Sequence, residues 1–121
     1  FGTLRQTFGG DTLNTAVYLA RAADPAGLAV QYATALGDDP LSEGMLQRWQ
    51  AEGVRTDLVL RLPGRLPGLY LIEVDATGER RFLYWRDQAA ARAYFDAAGS
   101  PLEQALERID ALYFSGISLA I

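Results

Sequence analysis

Two places in this chain carry residues whose types and spacing could do chemistry on a small polar molecule. The first is Gly9-Gly10-Asp11-Thr12-Leu13-Asn14, a glycine pair running into a helix whose first turn holds Asp and Asn. Paired glycines let a ligand approach the backbone with no Cβ in the way. The first turn of a helix offers unpaired N–H donors and the positive end of the dipole. Asp11 and Asn14 add side chains able to grip hydroxyl groups. The glycine spacing is neither that of a dinucleotide-binding turn nor that of a P-loop. The same stretch also reads as a plain glycine turn followed by an Asp-capped helix. The second place is the set Tyr70, Tyr84 and Arg86. Tyr rings suit the apolar faces of a sugar, and their hydroxyls can bond to it. Arg offers a planar fork that matches a carboxylate with two parallel hydrogen bonds. The plainer alternative is a hairpin stabilised by cross-strand aromatics, with its Arg solvated at the edge.

Composition removes most other chemistries. The chain has 121 residues, one domain's worth, with half of them hydrophobic and about a fifth charged, as in globular domains. It has no Cys and no His, so a thiol nucleophile, a disulfide framework, the commonest general base and the commonest metal ligand are all absent. All eleven basic residues are Arg, and the net charge of −4 with no basic cluster argues against nucleic acid as a partner. Asp38, Asp39, Glu73 and Asp75 could be imagined as a metal site, but capping and turn chemistry explain their places better, and no metal is expected. No apolar run approaches the roughly 20 residues of a membrane span, and no signal peptide is visible, so a cytoplasmic location is expected. The chain opens on Phe1-Gly2 without Met and stops at Ala120-Ile121, straight after an apolar run, which predicts an N-terminal fragment of a longer protein.

The elements that must position these residues follow from pattern. Residues 11–23 read as a helix with Leu13, Ala16, Val17 and Ala20 on one face, ended by Asp24-Pro25. Residues 29–35 read as a buried strand punctuated by Gly37. Asp39-Pro40 starts a second helix that runs to about Glu52, with Gly53 as its left-handed stop. Residues 57–62 read as a short strand. Two β-rich runs, 68–75 and 79–86, flank Ala76-Thr77-Gly78, which fits a type I turn closed by a glycine bulge. That register sets Val74 opposite Arg80, Ile72 opposite Phe82 and Tyr70 opposite Tyr84, so that Tyr70, Tyr84 and Arg86 share one face. A slip of one residue would part them. Residues 89–97 read as an alanine-rich helix, and Ser100-Pro101-Leu102-Glu103 opens another as a capping box, to about Arg108. Residues 111–114 read as a buried strand ending in Ser115-Gly116, where ligands bind in parallel α/β sheets. Helix and strand alternating at both ends, with a hairpin between, predict a layered α/β fold carrying a β excursion.

Taken together, these motifs resemble the ribokinase-like carbohydrate kinases, and within them the branch acting on 2-keto-3-deoxygluconate. The resemblance runs through the glycine pair with Asn14, the turn Leu36-Gly37-Asp38-Asp39, the strand Gly68-Leu69-Tyr70 and the strand Tyr84-Trp85-Arg86, with Ser115-Gly116-Ile117 bordering the site. It implies an α/β sandwich with a small β-hairpin lid, formed here by strands in about 57–86, that covers the sugar and often joins two copies as a dimer. It implies that Gly10, Asp11 and Asn14 bind the sugar, that Tyr70 contacts it from the lid, and that Tyr84 and Arg86 hold its keto-acid end. It also implies transfer of a phosphoryl group from ATP, with Mg²⁺, to the 6-hydroxyl of the sugar acid. The family's catalytic Asp and nucleotide pocket lie beyond the point matching Ile121, so no catalytic residue and no bound cofactor are expected within this chain. A kinase for a neutral sugar, of the fructokinase or ribokinase kind, and a non-catalytic sugar-binding or dimerisation module are the alternatives.

Overall fold

Gly10 is extended and unsupported by any side-chain cap, and helix α1 (Asp11–Ala22) starts at the next residue. The structure is a computed structural model and describes residues 2–23, 27–96 and 98–119. The expected stop at Asp24-Pro25 lies outside the described residues. Strand β1 (Thr34–Leu36), helix α2 (Pro40–Ala51) and strand β2 (Val59–Arg61) follow, the strands pairing in parallel with Ala35 opposite Leu60. Leu13 and Ala16 of α1 meet Leu36, Trp49 of α2 and Val54 in one core. Alternation along β1 sends Ala35 to the other face, where it packs with Ala90 and Tyr94 in a second core. The parallel sheet is therefore covered on both sides, the arrangement that parallel strands need.

Helix α2 starts where its signals put it. The Asp39 carboxylate accepts from the Leu41 amide at 2.9 Å, the Ser42 amide at 3.1 Å and the Ser42 hydroxyl at 2.5 Å. Burial pushes this carboxyl up, but bonds from Ser42 and Leu41 outweigh it and hold its pKa below the ordinary 3.8. The folded state thus favours the ionised form. Its contribution to stability is present above that value and drains away as the pH falls through the lowered one. Asp39→Ala in the full-length protein should cost about 1 kcal/mol at neutral pH, the usual loss for an N-cap, and the gap to wild type should narrow below about pH 4. Denaturant midpoints at pH 7 and pH 3 check this, and an equal gap at both would remove the charge from the explanation.

The β excursion is a two-stranded antiparallel hairpin, β3 (Leu69–Val74) and β4 (Arg80–Trp85), in the expected register: Tyr70 faces Tyr84, Ile72 faces Phe82 and Val74 faces Arg80. Gly78 at φ 85 closes the turn, with its amide bonded to the Asp75 carbonyl at 3.0 Å. The Asp75 carboxylate takes the Thr77 hydroxyl and the amides of Thr77 and Glu79, and these bonds lower its pKa. Asp39 and Asp75 are thus committed to capping and turn formation.

Four expectations change. The run 29–35 pairs early, with the Arg55 amide on the Val30 carbonyl at 2.8 Å, but regular strand begins only at Thr34 and extends to Leu36. In the alanine-rich run 89–97, of which Ala97 lies outside the described residues, residues 89–96 form one 3-10 turn, Ala90–Ala93, instead of an α-helix. Its amide at Ala90 is drawn to the Leu66 carbonyl at 2.9 Å, and the Tyr94 hydroxyl is held between the Leu58 carbonyl and the Leu102 amide. Tertiary bonds of this kind override the propensity of a short run. The capping box at Ser100 forms as expected, yet α3 (Pro101–Ala105) gives way to a 3-10 turn at Leu106–Arg108. The expected buried strand at 111–114 is not a strand, and Leu112, Tyr113 and Phe114 are exposed. A buried strand needs a neighbour for its amides and carbonyls, and among the described residues the sheets contain only β1 with β2 and β3 with β4. Ser115-Gly116 accordingly borders no strand end; Gly116 starts an exposed 3-10 turn. No helix among the described residues is long and apolar enough to cross a membrane.

Candidate functional site

The site is built where β1 and β2 end, the edge of a parallel sheet at which ligands collect. Gly37, one residue past β1, ties this edge together. Its amide donates to the Ser42 hydroxyl at 2.9 Å, and its carbonyl accepts from Arg61 Nε at 2.6 Å. The Asp38 carboxylate accepts from the Gly64 amide at 3.1 Å. Leu66 and Ala89 then form a parallel bridge at the root of the hairpin. The hairpin is therefore strapped at its base to the carboxyl end of the parallel sheet.

From that base the hairpin reaches the glycine turn. A Cβ on Gly9 would lie 2.9 Å from the Tyr70 hydroxyl and 3.9 Å from Asn14 Oδ1. Gly9, Asn14 and Tyr70 therefore converge although they come from opposite halves of the sequence. Gly10 adds its carbonyl, which accepts the Asn14 amide at 2.8 Å, and Asp11 sits exposed at the first helical position. The first amides of α1 have no intrahelical partner, and no side chain caps them. Those donors and the positive end of the helix dipole therefore lie together at the start of α1.

The hairpin face above this turn is aromatic and ends in a cation. The Tyr70 ring lies 6.1 Å from Tyr84 across the ladder and 6.3 Å from Phe82, and Phe82 stacks on Tyr84 with 12° between their planes. The Arg86 guanidinium sits over the Tyr84 ring, 4.7 Å from its centroid, a contact that holds the fork by cation–π attraction. Gly68 makes room for it: a Cβ there would stand 3.3 Å from the Cβ of Arg86. The structure thus links Asn14 and Tyr70 at Gly9, Tyr70 to Tyr84, and Tyr84 to Arg86. Gly10 adjoins Gly9 in the chain, and Asp11 is exposed at the start of α1 and takes no part in these contacts. Sequence reasoning did not single out Gly9 as the point of contact, because a glycine pair does not say which member a distant strand approaches. A cavity of about 350 Å³ beside α1 also has Asn14 in its wall, but the rest of its lining, which includes Phe8, Tyr18, Arg21, Trp49 and Glu52, comes from α1, α2 with its C-cap and the segment before α1, and none of it from the hairpin. Its charged residues are paired with one another, Glu52 with Arg21 at 2.7 Å and with Arg48 at 3.2 Å.

Known proteins resemble this chain in sequence and fold. The chain is 56% identical over 119 residues to a 2-dehydro-3-deoxygluconokinase of Dickeya dadantii, covering 98% of this chain and 38% of that protein. A solved 2-dehydro-3-deoxygluconokinase of Thermotoga maritima superposes with a TM-score of 0.60 at 30% identity, over 70% of this chain and 25% of that one. A fructokinase of Xylella fastidiosa, solved with bound ATP, gives a TM-score of 0.58 at 34% identity, over 69% of this chain and 24% of its own. The chain thus spans 38% of the length of its Dickeya relative. The family model described as pfkB family carbohydrate kinase matches residues 1–121. With the family model matching residues 1–121 and a relative 56% identical over 98% of the chain, this chain belongs to the pfkB family of carbohydrate kinases.

Proposed function

We propose that residues 1–121 form the N-terminal part of one kinase domain, with a lid in about 57–86, and that the full-length enzyme phosphorylates the 6-hydroxyl of 2-keto-3-deoxygluconate. The observation that carries this reading is the Tyr70 hydroxyl seated against Gly9 beside Asn14, which sets the aromatic face and Arg86 over the glycine turn. In this reading Gly10, Asp11 and Asn14 hold sugar hydroxyls, using free amides and two polar side chains. Tyr70 closes on the sugar from above. Tyr84 and Arg86 hold the carboxylate, Arg86 by a charge-assisted fork. A neutral sugar would offer that fork hydroxyls but no anionic, two-pronged partner.

ATP and Mg²⁺ are assigned to the full-length kinase and not to these residues, because Asp39 and Asp75 are spent on backbone amides and offer no metal a ligand set. What these residues contribute is orientation of the acceptor, one of the two things phosphoryl transfer asks of a protein; the other, charge stabilisation, falls to the rest of the enzyme. The opposite hairpin face leaves Leu69 and Trp85 exposed, and a second copy of the lid is the partner we assign to it. A monomeric mass in ultracentrifugation would remove that partner.

The test is substrate competition with the full-length protein. The keto acid should be phosphorylated in preference to fructose and ribose, and phosphorus NMR of the product should show the ester at C6. The likeness to a fructokinase supports the competing reading, and preference for fructose would establish it.

A further inference from the structure

We propose that Tyr32 is a positioning residue for the substrate-gripping turn of α1, acting through a hydrogen bond between its hydroxyl and that of Thr12. The inference rests on the reading that this turn holds the sugar. The need for such a residue comes from the turn itself. Gly10 supplies no side-chain cap to α1, which leaves the first amides free for a ligand but gives the helix start little to resist fraying. Within the turn, the Thr15 hydroxyl reaches the Asp11 carbonyl at 3.2 Å, a local tie on the exposed side.

The long-range tie is the one between Thr12 Oγ1 and Tyr32 Oη, at 2.9 Å. Thr12 stands between Asp11 and Asn14, which share a helix face at i and i+3 and are exposed. Pinning Thr12 therefore fixes the rotation of the face that presents both polar side chains. Tyr32 is well placed to do the pinning because little about it can move. Its amide donates to the Arg55 carbonyl at 3.1 Å, which joins it to the parallel ladder. Its ring meets Trp49 edge-on, with centroids 5.2 Å apart and planes at 85°. Trp49 is itself buried in the first core with Leu13 of α1 and Leu36 of β1. Burial also raises the Tyr32 pKa, so its hydroxyl keeps its proton.

Tyr32→Phe and Thr12→Val in the full-length kinase should each raise the KM for the sugar roughly 2- to 12-fold, the affinity equivalent of one neutral hydrogen bond. kcat and the KM for ATP should change much less, as expected for loss of uniform substrate binding. The double variant should be no worse than either single one, because both remove the same bond. Thr12→Ser keeps the hydroxyl and should restore the wild-type KM. Tyr32→Phe retains the ring on Trp49, so it should fold. A sugar KM unchanged in both single variants, whatever their thermal midpoints, would overturn the proposal. The series is read on whichever sugar the wild-type enzyme phosphorylates, so a neutral substrate would refute the sugar-acid assignment alone. A wild-type protein that phosphorylates no sugar would refute both.

Discussion

Arg86→Ala in the full-length kinase should raise the KM for the keto acid about 10- to 150-fold, the equivalent of about 1.5–3 kcal/mol for a charge-assisted hydrogen bond. The effect should fall on the acid and not on ATP, because the guanidinium sits on the hairpin face, over the Tyr84 ring. Tyr84→Phe should cost less, since it removes one neutral hydroxyl and keeps the ring that holds the guanidinium. Arg86→Lys should recover part of the loss: the charge remains, but the planar two-pronged fit to a carboxylate does not. The competing sugar supplies the control. An enzyme whose Arg86 clamps a carboxylate should lose discrimination between keto acid and fructose in the alanine variant. Steady-state kinetics with both sugars decide it, and unchanged values for Arg86→Ala would sink the clamp while leaving the glycine turn with Asn14 in place.

Gly37→Ala should destabilise the protein by about 1–3 kcal/mol, the range for forcing extra volume into a packed position. A Cβ on Gly37 would overlap the Arg65 carbonyl and stand 2.7 Å from Asp39 Oδ2. Neither neighbour can yield cheaply. The carbonyl is backbone at the foot of the hairpin, and Asp39 is tied to Leu41 and Ser42. Gly44→Ala provides the contrast. Gly44 lies inside α2, and a Cβ there would make an ordinary contact with Phe8 at 3.6 Å. That variant should gain roughly 0.5–1 kcal/mol, because glycine is a poor residue for a helix interior. Denaturant midpoints of the two variants should move in opposite directions. A Gly37→Ala midpoint equal to wild type would mean that the hairpin root shifts freely and is not strapped to the end of the parallel sheet.

What the sequence determined by itself is what short-range rules control. Asp39-Pro40 placed the start of α2, Ser100 and Glu103 closed their capping box, and Gly78 set the hairpin register that puts Tyr70 opposite Tyr84. Each of these depends on bonds spanning a few residues, so residue type and spacing suffice. The surface that gathers Tyr70, Tyr84 and Arg86 was legible for the same reason, since side-chain alternation follows directly from register. The tertiary structure decided the rest. Only packing could bring the Tyr70 hydroxyl to Gly9, the Arg65 carbonyl to Gly37, or Tyr32 to Thr12. No periodicity encodes an approach between segments so far apart in the chain. The same limit explains 111–114 and 89–97. Their composition suits a buried strand and a helix, but a strand exists only with a paired neighbour. The alanine run, for its part, was drawn into a tighter turn by bonds from Ala90 to Leu66, from Tyr94 to Leu58 and from Leu102 to Tyr94. Local preference proposes an element, and the partners that satisfy its backbone determine whether it forms.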